Sequence, residues 1–300
     1  MASSSATRRA VRSLSLALSL CALALACGTA GAQGSRELQR IAYAGDDPLQ
    51  YGELRLPEGA GPFPLAIVIH GGCWRAELAT LDYVEPLAEA LRRAGVATWN
   101  IEYRRVGDAG GGWPGTFRDV AAATDFVRSL AHDHPIDLAR VVAIGHSAGA
   151  QLALWDLARA KLPAKSALYR ASPLPLHGAL ALGGPGDLRG IATAADSFCG
   201  GGVIEALLGG TERAVPAHYA EASAAALLPL GLPQVLVTGS DDRIMPPRAA
   251  APYVRAAKDS GDVAELVEIR GASHFDLVSP SSRAWPTVKA KLLELVAPAK

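Results

Sequence analysis

The sequence predicts an α/β fold with a mostly parallel central sheet and helices on both faces. Three observations lead there. Strand-like and helix-like runs alternate along the chain, and such alternation demands crossover connections between parallel strands. A serine flanked by glycines, Gly145-His146-Ser147-Ala148-Gly149, sits between a β-branched run and a helix-like run. An aspartate, Asp242, and then a histidine, His274, follow in loops after two later strand-like runs.

The elements follow in chain order. Residues 37–44 and 49–56 read as two antiparallel strands joined at Gly45-Asp46-Asp47-Pro48. Residues 65–70 form a fully apolar strand, 83–94 a helix stopped by Gly95, and 96–101 the next strand. Residues 116–130 read as one helix with the apolar stripe Phe117, Val120, Ala121, Thr124 and Val127. The strand 141–144 leads into the serine turn, and the helix 148–160 leads out. Strands are expected at 178–182, 234–238 and 263–268, with helices at 247–260 and 285–296. Between 183 and 233 the pattern loosens into glycine pairs and short apolar pieces at 203–208 and 217–228. This reads as a cap insertion over the site, the plain alternative being an irregular connection.

Residues 1–32 read as a secretory signal. Arg8, Arg9 and Arg12 give a basic start, residues 14–26 an apolar run, and Ala30-Gly31-Ala32 a small-residue cleavage site. Cys27 leaves a lipoprotein anchor as the alternative, and membrane contact is expected only if Cys27 is lipidated. Periplasmic or extracellular export is therefore expected, and residues 33–300 suffice for one large α/β domain. Lys plus Arg (29) equals Asp plus Glu (29), so the balance offers no electrostatic footprint for nucleic acid. Beyond the leader only Cys73 and Cys199 remain. Their spacing suits no zinc site. In an oxidising compartment a disulfide between them would tie the cap to the core.

A strand, a Gly-x-Ser-x-Gly turn and a helix make the nucleophile elbow of an α/β-hydrolase. A serine hydroxyl is a poor nucleophile at neutral pH, and it needs a base oriented in turn by a carboxylate. The expected chain order is serine, acid, histidine. Asp242 is the chosen acid, because it directly precedes the Arg243-Ile244-Met245-Pro246 turn into the next helix; Asp241 is its rival. His274 is the one histidine of seven that follows both. Backbone N–H groups of Ala148 and of the loop His70-Gly71-Gly72-Cys73-Trp74, at Gly72 and Cys73, are the expected oxyanion donors. His70 reads as a loop organiser, Tyr103 and Arg104 as scaffold. His146 is a candidate pocket residue, and Trp74 either lines the pocket or packs. No metal or organic cofactor is required by this set.

The motifs His70-Gly71-Gly72-Cys73-Trp74, Glu102-Tyr103-Arg104-Arg105, Gly145-His146-Ser147-Ala148-Gly149 and Gly271-Ala272-Ser273-His274-Phe275 resemble those of α/β-hydrolase serine hydrolases in the branch holding kynurenine formamidases and small carboxylesterases. The resemblance runs from about residue 50 to the C-terminus. It implies an α/β-hydrolase fold with a small cap insertion (183–233). It also implies hydrolysis of a small-molecule acyl ester, with a formamide as the alternative bond. A prolyl-oligopeptidase-like peptidase and a non-catalytic binding protein are the remaining readings.

Overall fold

Central strands here are buried on both faces, so they alternate between two cores rather than between core and water. The computed structural model describes residues 38–189, 191 and 198–298; the expected leader and Cys27 lie outside the described residues. Eight strands form one sheet: β1 (Gln39–Ala42), β2 (Tyr51–Arg55), β3 (Phe63–Ile69), β4 (Ala97–Ile101), β5 (Ile136–His146), β6 (Ala179–Leu182), β7 (Gln234–Gly239) and β8 (Ala264–Ile269). Their order is β1-β2-β4-β3-β5-β6-β7-β8. The pairs β1–β2 and β2–β4 are antiparallel, and every later pair is parallel. The expected mostly parallel sheet with an antiparallel entry is what forms.

Along β3, Leu65, Ile67 and Ile69 enter one core while Ala66 and Val68 enter the other, and β5 divides Val141 and Ala143 from Val142 and Ile144 in the same way. Helices α2 (Gly115–Asp125), α3 (Val127–Asp133), α4 (Ala148–Ala158) and α7 (Pro247–Asp259) cover the first face. Helices α1 (Glu85–Arg93) and α8 (Trp285–Leu295) cover the second. Both faces are therefore dry, which suits parallel strands.

The helix expected over 116–130 is divided at Phe126 into α2 and α3. Trp99 on β4 donates its indole N–H to the Ala123 carbonyl at 3.0 Å. In a continuous helix that carbonyl would serve the amide of residue 127. β5 also starts earlier than expected, because Phe63 pairs with Ile136 beyond a register shift.

The segment read as a cap insertion, 183–233, holds α5 (Val203–Leu208) and α6 (Pro216–Ala222). α6 lies against the helix that follows the serine, and both lie against the loop ahead of α2, where the Trp113 amide donates to the Leu207 carbonyl at 2.7 Å. Trp155 of α4 donates to the Glu221 carbonyl at 2.9 Å, and Gln151 donates to that of Ala222 at 2.8 Å. Trp113 stacks on His218 with ring centroids 4.2 Å apart. Trp155 is fully buried and meets Phe117 edge-on at 5.0 Å. Trp155→Ala is expected to cost about 3–5 kcal/mol in urea unfolding, an upper-range loss because a carbonyl of α6 loses its donor together with the ring contacts.

Candidate active site

Ser147 stands at the C-terminal end of β5 with φ 56° and ψ −118°. A side-chain-bearing residue at positive φ is held there by its surroundings. Its amide donates to the Leu182 carbonyl on β6 at 2.8 Å. The two motif glycines allow the turn through close packing. A Cβ on Gly145 would lie 2.0 Å from the Gly149 carbonyl oxygen, and one on Gly149 would lie 2.1 Å from the Ile69 carbonyl oxygen. The elbow helix therefore starts directly against the end of β3, and Ser147 projects beyond the sheet edge.

Asp242 and His274 lie beyond β7 and β8. His274 Nδ1 is 2.7 Å from Asp242 Oδ2. Asp242 Oδ1 accepts the amides of Ile244 at 2.9 Å and Met245 at 2.7 Å. Both side chains are buried, at 3% and 5% exposure for the two residues. The carboxylate thus has one oxygen fixed by backbone donors and the other turned to the imidazole. Asp241, the rival, is exposed and accepts from the Ser240 hydroxyl instead.

Ser147, His274, Gly72 and Cys73 line one apolar pocket of about 780 Å³, walled also by Leu78 and Phe275. Among the described residues, no protein acceptor engages the amides of Gly72, Cys73 or Ala148. Cys73 and Trp74 both take positive φ, 54° and 55°, which folds the loop back on itself. Its base is a buried polar cluster. His70 approaches the Gly71 carbonyl and the Glu102 carboxylate, each at 2.8 Å, and stacks on Tyr103. Tyr103 donates to the His70 carbonyl at 2.8 Å. Burial works to raise the Glu102 carboxyl, but His70 and then Arg105 outweigh it and hold the group below the usual range. Arg104 forks onto Asp119 with two 2.7 Å bonds, tying the chain after β4 to α2. The scaffold roles expected for His70, Tyr103 and Arg104 are the ones these contacts describe.

Of the two alternatives for Trp74, the contacts show packing. It is 2% exposed, donates to Gln151 at 3.1 Å, and borders a cleft of about 20 Å³ beside Ser147 rather than the main pocket. His146 reaches the main pocket wall yet is only 1% exposed. Its Nδ1 is 2.9 Å from the Tyr83 hydroxyl and its Nε2 is 3.1 Å from the His274 carbonyl. The role of Tyr83 escaped the sequence reading, which placed it only as the first residue of the helix expected over 83–94, whereas α1 starts at Glu85. The contacts of Tyr83 lie 12 and 63 residues away, and no local pattern marks them.

Cys73 and Cys199 form a disulfide with Cα atoms 5.5 Å apart, across 126 residues. Arg75 donates to the Cys199 carbonyl at 3.1 Å on the same side. The loop after β3 is therefore fastened to the segment around Cys199, and Phe198 joins the pocket lining.

The BD-FAE family matches residues 53–254, a span holding Ser147 and Asp242. No curated protein matches the chain. A truncated carbohydrate esterase from gut microbiota superposes over 86% of this chain and 95% of its own, at 19% identity and TM-score 0.71. The butyrate-bound esterase Est2 of the Planctomycetes species Thermogutta terrifontis covers 89% of this chain and 98% of its own, at 18% identity and TM-score 0.69. A bifunctional GH43-CE protein of Bacteroides eggerthii gives 20% identity and TM-score 0.69 over 86% of this chain, which spans 38% of that protein. At these identities the likeness is one of fold.

Two outcomes are expected from this geometry. Burial first, and His274 beside it, push the His146 imidazole down to about 3 from its usual 6.5. A histidine with a lowered folded pKa gains protons on unfolding, so its contribution is full above about pH 6.5 and lost as pH falls toward about 3. Urea unfolding at decreasing pH should show a stability loss of up to about 1.4 kcal/mol per pH unit in that window, flattened in His146→Gln. Reduction of the disulfide, or Cys73→Ser with Cys199→Ser, should lower stability by roughly 4–5 kcal/mol on the chain-entropy account, read as a fall in Tm.

Proposed function

We propose that this chain, which belongs to the BD-FAE family with its α/β-hydrolase fold, is a serine esterase cleaving small or medium acyl esters. The observation that supports this reading is the 2.7 Å contact of His274 with a buried carboxylate, on the wall of the pocket that also holds Ser147.

Each group has a distinct role in the proposed reaction. His274 Nε2 takes the proton of the Ser147 hydroxyl as the oxygen attacks the ester carbonyl. Asp242 accepts from His274 Nδ1–H and stabilises the imidazolium that forms. The oxyanion is received by the amides of Gly72, Cys73 and Ala148, where each preorganised donor contributes roughly 2.7–4 kcal/mol. Collapse expels the alcohol, which leaves with the proton from His274. Water, activated by the same imidazole, then frees the acid from Ser147. A lining dominated by apolar groups favours uncharged substrates, since a charge buried there would lose its hydration without a partner.

An ester bond is favoured over a formamide because the similar structures are described as esterases. We also assign the chain to an oxidising compartment. The signal-like residues 1–32 and the Cys73–Cys199 disulfide support this.

Hydrolysis of p-nitrophenyl acetate and of N-formylkynurenine, each compared with Ser147→Ala, tests the reading. We expect ester turnover, with kcat lowered on the order of 10³-fold or more in Ser147→Ala and about as much in Asp242→Asn. Efficient cleavage of the formamide alone would transfer the protein to the formamidases. Equal ester rates with and without Ser147 would overturn the mechanism.

A further inference from the structure

We propose that Tyr83 and His146 are positioning residues that lock the oxyanion loop (71–74) and the base loop (271–275) into one unit. The inference rests on the esterase reading above.

The lock is a directed chain of three hydrogen bonds. The Gly71 N–H donates to the Tyr83 hydroxyl oxygen at 2.5 Å. Tyr83 Oη lies 2.9 Å from His146 Nδ1, and His146 Nε2 lies 3.1 Å from the His274 carbonyl oxygen. With the buried His146 ring neutral, only one arrangement of protons satisfies all three. The His274 carbonyl can only accept, so Nε2 carries the proton. In a neutral ring Nδ1 is then an acceptor, so the tyrosine hydroxyl must donate to it. That leaves the hydroxyl lone pairs for Gly71. Burial holds the Tyr83 phenol far above its ordinary value, so the donated proton stays on the tyrosine.

The packing shows that the chain is built in rather than incidental. Gly71 has no room for a side chain: a Cβ there would lie 2.6 Å from both the Tyr83 hydroxyl and the His146 carbonyl, and 3.0 Å from Ser147 Cβ. His146 directly precedes Ser147 on β5, and its ring centroid is 4.5 Å from that of His274. The Tyr83 ring meets it edge-on at 5.8 Å. One buried imidazole thus links the backbone that presents the oxyanion donors to the backbone that carries the base. Displacement of a reacting group by about 1 Å can cost on the order of 100-fold in rate, so such a link bears on kcat.

The test uses the whole chain and four variants: Tyr83→Phe, His146→Leu, their double, and His146→Gln, whose amide keeps a donor and an acceptor on one planar end. Kinetics on p-nitrophenyl acetate, Tm, and hydrogen–deuterium exchange of segments 70–75 and 271–276 are read for each. We expect kcat of Tyr83→Phe to fall about 10- to 100-fold with KM within roughly 2-fold, because the substrate pocket keeps its apolar wall. Exchange should rise in both segments, the one at 271–276 being remote in sequence from Tyr83. The double variant should be no slower than His146→Leu, since both break one chain, and His146→Gln should retain most of the wild-type kcat. Wild-type kcat and exchange in Tyr83→Phe would overturn the proposal, as would losses that multiply in the double variant. If His146→Leu does not fold, Tyr83→Phe against His146→Gln decides alone. Absence of Ser147-dependent turnover in the unaltered protein would sink the esterase reading instead, and the exchange data would still judge the lock.

Discussion

The Ser147 backbone occupies a conformation costing of order 1–3 kcal/mol for a residue with a side chain, and the fold is arranged to hold it there. β5 runs through the middle of the sheet with partners on both sides, so its end is rigid. The glycines at 145 and 149 let the following helix begin in contact with the β3 terminus. The amide of Ser147 itself is bound to β6. Three strands and one helix therefore fix a single residue, and the strain is sustained by packing distributed over the sheet centre.

Around that point the polar groups are organised in two tiers. His274 and the loop residues Gly72 and Cys73 border the pocket, and Asp242 backs His274. Behind them Glu102, His70, Tyr103 and Arg105 form a buried cluster whose charges are paired, so burial does not leave any of them isolated. Paired or backbone-satisfied groups can be held in a low-dielectric interior. On the proposed esterase reading, a lining dominated by apolar groups would strengthen electrostatic stabilisation at the developing charge.

Most of the architecture could be read from the chain because both signals are local. Buried parallel strands announce themselves as short apolar runs, and the serine turn carries its own glycines. The order of Ser147, Asp242 and His274 was legible for the same reason. The choice of Asp242 over Asp241 is a different matter: adjacent aspartates differ in burial, and burial is a tertiary property. The break at Phe126 depends on an indole from β4, and the early start of β5 depends on Phe63. The role of Tyr83 was illegible, since a lone tyrosine just ahead of α1 acquires its meaning only through Gly71 and His146. The contacts that pack residues 216–222 on α4, through Trp155 and Gln151, had no sequence mark.

The disulfide also decides how many ways the chain can go wrong before the pocket is complete. Four cysteines occur in the full sequence, at 21, 27, 73 and 199. Four thiols admit three complete pairings, of which one contains the Cys73–Cys199 bond. Residues 33–300 keep only two cysteines and admit a single pairing. Oxidation of the shorter chain has no wrong intramolecular product, whereas oxidation of the longer one has to be sorted, and every mispaired isomer leaves the segment around Phe198 detached from the loop that presents the Cys73 amide.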